Sequence, residues 1–441
     1  MGRPRTRALA WFVCLWTALA IAACGPRPAP APAVPPPPPP PRDARAAACL
    51  RAACDLLLGA QLDDGSFAPS EARWWHAGIA VRAWVGAYRI LGDERDLAAA
   101  VRAMDRFVDE QQYHGGWCAW VWDSVPPSMR NSFNTADAGC ITACLAILAP
   151  HVDAARAERY LAAHRRYLEQ FVPRHDLGSG GFSNGWYEGM FHTSPYSVAA
   201  ATQAVSFAAF HQATGEPAFL RRAERAVESM VAEWREDGRA LFRPHDANNP
   251  RLLVATQFHD LYYMLEGMLW VFHNTNDEGL RDRIRVVWMN YLWGDRGLFA
   301  EVGEGDCWME VARGPSAPKS RGILGVLCGI REAIGPASGL DRVIENGLRA
   351  LCPGADQGAG DASGAPAAGD VGTPGIADAA GSTGGAGSEP TGSADERGPA
   401  KAKAAVGRPG LETIDHAFAA LSLAEYLAPA ANVMGAGAPP R

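Results

Sequence analysis

A unit of helix, Gly-plus-aromatic loop and new apolar helix returns down the chain roughly every sixty residues. The loops read Gln61-Leu62-Asp63-Asp64-Gly65-Ser66-Phe67, then Gln111-Gln112-Tyr113-His114-Gly115-Gly116-Trp117, then Gly178-Ser179-Gly180-Gly181-Phe182. Weaker versions stand at Asp237–Phe242 and Asp295–Phe299. Short turns between the loops repeat as well: Gly92-Asp93-Glu94, Gly215-Glu216-Pro217 and Asn276-Asp277-Glu278. A period of this size describes stacked helical hairpins, each unable to bury its apolar face alone.

Apolar residues at helical spacing predict helices near 44–60, 75–91, 94–112, 134–149, 153–172, 194–214, 216–236, 255–275, 277–293, 320–335, 339–351 and 411–428, with strand signals nearly absent. Asp93, Gly215 and Asp277 stand before acidic residues where helices should open. Short and long connections alternate, so the helices pair into six hairpins. The expected fold is all-α, an (α/α)6 toroid in which the helix after each long loop lines the centre. Those helices are rich in small residues, as in Ala199-Ala200-Ala201, whereas their partners carry charge, as in Arg221-Arg222-Ala223-Glu224-Arg225. An open solenoid is the alternative. The isolated twelfth helix favours closure, because a ring needs its last helix beside its first.

The two ends and one internal stretch read differently. Arg3, Arg5 and Arg7 precede an apolar run from Ala8 to Ala23, the order expected of an export signal. The run ends Leu19-Ala20-Ile21-Ala22-Ala23-Cys24, which resembles a bacterial lipoprotein lipobox. The resemblance implies cleavage before Cys24, acylation of its thiol and a chain tethered to a membrane rather than spanning it. A Pro-rich tether follows over 24–43, and residues 353–410, mostly Gly, Ala, Ser and Asp, form an insertion too poor in apolar residues to order itself. The toroid domain is expected over 44–352 plus 411–428, with a disordered tail over 429–441. The expected location is the bacterial cell envelope, on the inner or outer membrane facing the periplasm or exterior.

The net charge of −7 and the scarcity of lysine argue against a nucleic-acid partner. Beyond Cys14 and Cys24 the chain has Cys49, Cys54, Cys118, Cys140, Cys144, Cys307, Cys328 and Cys352. Export would allow some to oxidise, although Cys140 and Cys144 stand i,i+4 on one helix and connectivity is not readable.

The run Ala53–Gln61, continuing to Gly65 and Phe67, and its repeat in Gln111, Gly115 and Trp117 resemble the QW-type repeat of terpenoid-cyclase and prenyltransferase toroids. The Gly-Glu/Asp turns and the segment Leu261–Trp270 also resemble the six-hairpin toroids of glycoside hydrolases, polysaccharide lyases and sugar epimerases. The resemblance implies an architecture, while chemistry has to come from the site. Phe67, Trp117 and Phe182 are expected to plug between helices.

The loops should crowd one end of the ring. There the first brings Trp74, Trp75 and His76, the second Trp120, Asn134 and Asp137, and the third Asn184, Trp186, Tyr187, Glu188, His192 and Tyr196. Later segments bring His259, Asp260, Tyr262, Arg321, Asp415 and His416. Flat aromatic faces beside carboxylates and amides suit a glycan ligand. Asp137 is a candidate acid or base, or a helix-capping residue, with Glu188 or Asp260 as a second carboxylate. His259 could abstract a proton alpha to a carboxylate while Arg321 stabilises the enolate. Trp74, Trp75, His76, Trp120, Asn134, Tyr187, Tyr262, Arg321, Asp415 and His416 would bind substrate.

Asp137, Cys140 and His416 resemble prenyltransferase zinc-ligand types, but their spacing and helix order depart from that pattern, and no cofactor or metal is expected. The acidic Asp-x-Asp-Asp cyclisation motif is absent, as are nucleotide-binding loops and the nucleophile elbow. The expected function is an exported carbohydrate-active lipoprotein working by hydrolysis, β-elimination or epimerisation. The alternatives are a non-catalytic envelope binding or scaffold toroid and a terpenoid-cyclase or prenyltransferase-like protein.

Overall fold

The computed structural model describes residues 43–67, 73–125, 127, 130–187, 190–236, 241–242, 254–255, 258–293, 299, 317–352 and 409–428. The helices are α1 (Ala44–Ala60), α2 (Trp74–Leu91), α3 (Glu94–Asp109), α4 (Thr135–Leu148), α5 (Ala154–Arg166), α6 (Ser197–Thr214), α7 (Pro217–Val231), α8 (Phe258–Thr275), α9 (Glu278–Val286), α10 (Ala317–Ile334), α11 (Leu340–Leu351) and α12 (Pro409–Leu427). The helices α5 and α9 run on into π turns, Tyr167–Phe171 and Val287–Leu292, where the sequence predicts unbroken α-helix.

The ring closes. Helix α2 packs on α4, α4 on α6, α6 on α8, α8 on α10, α10 on α12, and α12 back on α2. The sixth hairpin joins the two ends of the fold, α12 with α1. The protein is therefore an (α/α)6 toroid, and the open solenoid is excluded. Burial follows from composition. Every residue of α6 from Ser197 to Phe210 is buried, as a helix apolar or small on all sides requires. The outer α3 buries one stripe, Ala99, Ala100, Ala103, Met104 and Phe107, and turns its charged residues mainly outward.

The repeated loop has a definite mechanical role. Gln61 Nε2 donates to Gly65 O at 3.2 Å and to Ala99 O at 2.9 Å, tying the loop to itself and to α3. Gln111 repeats this with Gly115 O at 2.9 Å and Ala163 O at 2.8 Å on α5. Gly65, Gly115 and Gly180 have φ of +87°, +87° and +85°, and a Cβ on each would collide with the carbonyl of Arg102, Arg166 or Arg225. Left-handed backbone and close approach both demand glycine there. The aromatic residue then enters the core: Phe67 stacks on Trp84 at 5.9 Å, Trp117 on Phe107 at 4.2 Å, and Phe182 meets Phe207 at 6.1 Å. All three are buried.

The short turns are built by a left-handed residue after the inner helix, Gly92, Gly215 or Asn276. Asp93 and Asp277 cap α3 and α9 through Arg95 N and Leu280 N. The expectation that Gly215 opens a helix is corrected: it closes α6, and α7 begins at Pro217 without a side-chain cap. Two small antiparallel hairpins also form, β1 (Ser183–Tyr187) with β2 (Met190–Pro195), and β3 (Leu241–Phe242) with β4 (Val254–Ala255). Strands this short carry too few residues to register as alternation.

Among the described residues no helix is long and apolar enough to cross a membrane. The export signal, Cys24, the Pro-rich tether, residues 353–408 of the insertion and the 429–441 tail lie outside the described residues.

Candidate active site at the N-terminal ends of the inner helices

Inner and outer helices alternate along the chain, so the topology brings all six inner N-termini to one end of the ring. Such termini present amide N–H groups and partial positive charge, favouring carboxylates and anionic ligands nearby.

Asp137 occupies the third position of α4 and is half-buried. Asn134, the N-cap, accepts from Asp137 N at 2.7 Å through Oδ1 and donates to Asp137 Oδ2 at 3.2 Å through Nδ2. The same side chain thus ends the helix and aims the carboxylate. The β1–β2 hairpin is fastened to this start of α4: Thr135 Oγ1 donates to Ser183 O at 2.7 Å, and Trp186 N to Phe133 O at 3.0 Å. Its cross-strand pair Trp186 and Phe191 is 43% and 45% exposed, with ring centroids 5.5 Å apart. Sequence reasoning included Trp186 and missed Phe191, because only strand pairing places the two side by side.

Asp260 takes the third position of α8 and is buried. One turn further, burial pushes the Tyr263 hydroxyl well up, and the nearby Cys140, Tyr262 and Asp137 push it further. Helices α4 and α8 are not neighbours, since α6 lies between them. The influence of Asp137 and Cys140 on Tyr263 therefore runs across the ring axis. On the far side Arg321 Nη2 lies 3.7 Å from Asp415 Oδ2, and Trp75 contacts His76 at 3.9 Å and Phe418 at 6.5 Å between centroids. His416 is half-buried beside Asp415. Trp120 is half-buried with the Arg73 guanidinium 4.3 Å over its ring.

Two expected ligand contacts are corrected. Trp74 is 1% exposed, its ring edge-on to Phe107 at 5.0 Å and its Nε1 donating to Glu110 Oε2 at 3.3 Å. Consecutive helical residues point about 100° apart, so Trp74 enters the α2–α3 core while Trp75 reaches α12. Tyr262 is also buried, donating to Glu266 Oε1 at 3.2 Å with its ring against Phe418. Glu188 and the side chains of Tyr187 and His259 lie outside the described residues.

Deeper along the axis lies a charged layer that sequence reasoning missed. Arg82 on α2 is 2% exposed; its Nη2 donates to Glu266 Oε1 on α8 and stands 3.8 Å from Glu425 Oε1 on α12. Burial pushes Glu425 up to about 8, Arg82 opposing the rise and Glu266 adding to it. Gly325 leaves the space that the Glu425 carboxylate fills. The signal was a charge embedded in apolar sequence, as in Ala80-Val81-Arg82-Ala83. Among the described residues no three His, Cys, Asp or Glu side chains converge to hold a metal ion.

No protein-family model and no curated protein matches the sequence. The fold is similar to that of several proteins of known structure. A sugar epimerase from a ruminal bacterium superposes with a TM-score of 0.52 at 10% identity, covering 69% of this chain and 86% of that one. The alpha-1,6-mannanase GH76A of Salegentibacter sp. HEL1_6 gives 0.50 at 8% identity, covering 69% and 85%. An unsaturated glucuronyl hydrolase specific for heparin gives 0.50 at 12%, covering 70% and 84%. These are six-hairpin toroids, and at such identities the likeness is one of fold.

Proposed function

We propose that the chain is an exported, lipid-anchored carbohydrate-active enzyme whose glycan lies across the inner-helix N-termini, with Asp137 and Asp260 as its acid/base pair. The observation that carries this reading is the half-buried Asp137 carboxylate, held by Asn134 at the third position of α4, the position that Asp260 takes in α8. In hydrolysis one carboxyl would protonate the leaving oxygen while the other activates water or attacks the anomeric carbon. In elimination or epimerisation His259 would take the proton alpha to a uronate carboxylate, with Arg321 countering the charge that develops. Trp75, His76 and Trp120 would flank the sugar, and Trp186 with Phe191 would offer it an apolar face. The shared fold with a sugar epimerase, a mannanase and a glucuronyl hydrolase supports the substrate class. Acylated Cys24 would hold the enzyme at the cell envelope.

The test is a screen of the full-length protein in mild detergent against neutral and uronate-containing polysaccharides, following reducing ends, unsaturated products and epimerised sugar residues. Asp137→Asn and Asp260→Asn should each lower turnover about 10²–10⁴-fold, the usual share of acid–base catalysis. The filled axis around Arg82 favours one competing reading, a binding toroid without catalysis. Glycan retention with none of these three products formed would support that reading and sink the enzyme.

A further inference from the structure

Cys49 on α1 and Cys352 at the end of α11 meet although about 300 residues separate them. Their side chains are near enough for Cys49 to raise the pKa of the Cys352 thiol. A second contact holds the same two segments together: Arg45, one turn before Cys49, donates through Nη2 to the Cys352 carbonyl. Cys352 is buried, and Cys49 is half-buried against the core. The other described cysteines are placed differently. Cys140 and Cys144 share a helix, and Cys144 donates to Gly78 O at 3.3 Å.

We propose that Cys49 and Cys352 are a disulfide site that staples the first helix of the ring to the last residue described before 353–408. The reaction is thiol–disulfide exchange with a small or protein disulfide: Cys49–SH and Cys352–SH plus R–S–S–R yield one Cys49–Cys352 disulfide and two R–SH. Two electrons and the two thiol protons pass to the leaving sulfurs. The attacking species is a thiolate, and burial beside Cys49 pushes the Cys352 thiol up. Exchange is therefore fastest while the seam is open, and the finished bond is shielded from reductants. The consequence is topological. Helices α1 to α11 would be covalently closed, leaving α12 to enter between α10 and α2. The link rests on the export reading only for its source of oxidant in the cell.

The experiment uses the full-length protein in mild detergent, equilibrated with oxidised glutathione and then digested without reduction. A Cys49–Cys352 linked peptide is expected as the main disulfide product, with the thermal midpoint raised by roughly 5 °C or more over the reduced protein. Cys49→Ser/Cys352→Ser should keep the helical circular dichroism and lose the shift between oxidised and reduced samples. Alkylatable thiols at both positions after oxidation, or linkage of either to another cysteine, overturn the site; linkage with an unchanged midpoint overturns the staple. Because glutathione is supplied, the outcome is independent of where the chain resides and of whether it acts on a glycan.

Discussion

Arg82 and Glu266 stand on α2 and α8, helices three places apart around a ring of six, and they hydrogen-bond at its axis. Glu425 on α12 brings a second carboxylate to 3.8 Å from the same guanidinium. One arginine cannot neutralise two carboxylates, and a buried excess charge is costly. Burial holds Glu425 largely protonated at neutral pH, with its pKa pushed up to about 8. The layer is then one ion pair plus a neutral acid.

Arg82→Met should strand Glu266 without its cation. Removing one partner of a buried pair costs about 3–5 kcal/mol, so the urea midpoint should fall sharply. Arg82→Met combined with Glu266→Met should recover much of that loss, since apolar residues of similar volume often replace buried pairs at little cost. An unchanged midpoint in the single variant would show that the pair does not hold the ring together.

Stability should fall on both sides of a maximum at roughly pH 6–7. On the acid side, burial pushes His164 down to about 3 and His151 and His175 down to about 4. The unfolded chain takes up those protons near 6.5, so their contribution is present above about 6.5 and lost as pH falls towards 4. On the alkaline side the sign reverses. Glu425 has a raised pKa, so its contribution is full below about 4.5 and lost as pH rises through about 8. Each 1.5 pH units within a fully shifted window is worth on the order of 2 kcal/mol per group. Urea unfolding at pH 5, 6.5 and 9 should trace the curve, with His164→Gln flattening the acid limb and Glu425→Gln the alkaline one.

Two glycines in one loop separate backbone strain from collision. Gly178 has φ +81° with nothing within 4 Å of a built Cβ, whereas Gly180 has φ +85° with the Arg225 carbonyl in the way. Gly178→Ala should cost only the left-handed penalty, about 1–2 kcal/mol. Gly180→Ala should cost more, because the third loop must also retreat from α7. Equal shifts in thermal midpoint would mean that the approach to α7 does not matter.

The ring was legible because its repeat is written in residues with one mechanical use each. Gln111, Gly115 and Trp117 spell a side-chain tie, a left-handed close approach and a core plug, and the structure uses them so. Small residues along α6 likewise announced an inner helix. What stayed hidden depends on direction about a helix axis. Trp74 and Trp75 look alike in sequence, but one enters the core and the other reaches α12. Arg82, Glu266 and Glu425 are isolated letters in three distant apolar runs, and only closure brings them together.

Asn134 joins fold to proposed chemistry, and two substitutions can pull those roles apart. Its Oδ1 caps α4 through Asp137 N, while its Nδ2 holds Asp137 Oδ2. Serine caps helices about as well as asparagine but offers no amide to the carboxylate. Asn134→Ser should therefore keep most of the thermal stability and still lower kcat about tenfold at little change in KM, because it loosens the aim of Asp137. Asn134→Ala should lose about 1 kcal/mol of stability as well. If serine restores turnover as fully as it restores stability, Asn134 serves the helix alone, and the orientation of Asp137 needs no help from it.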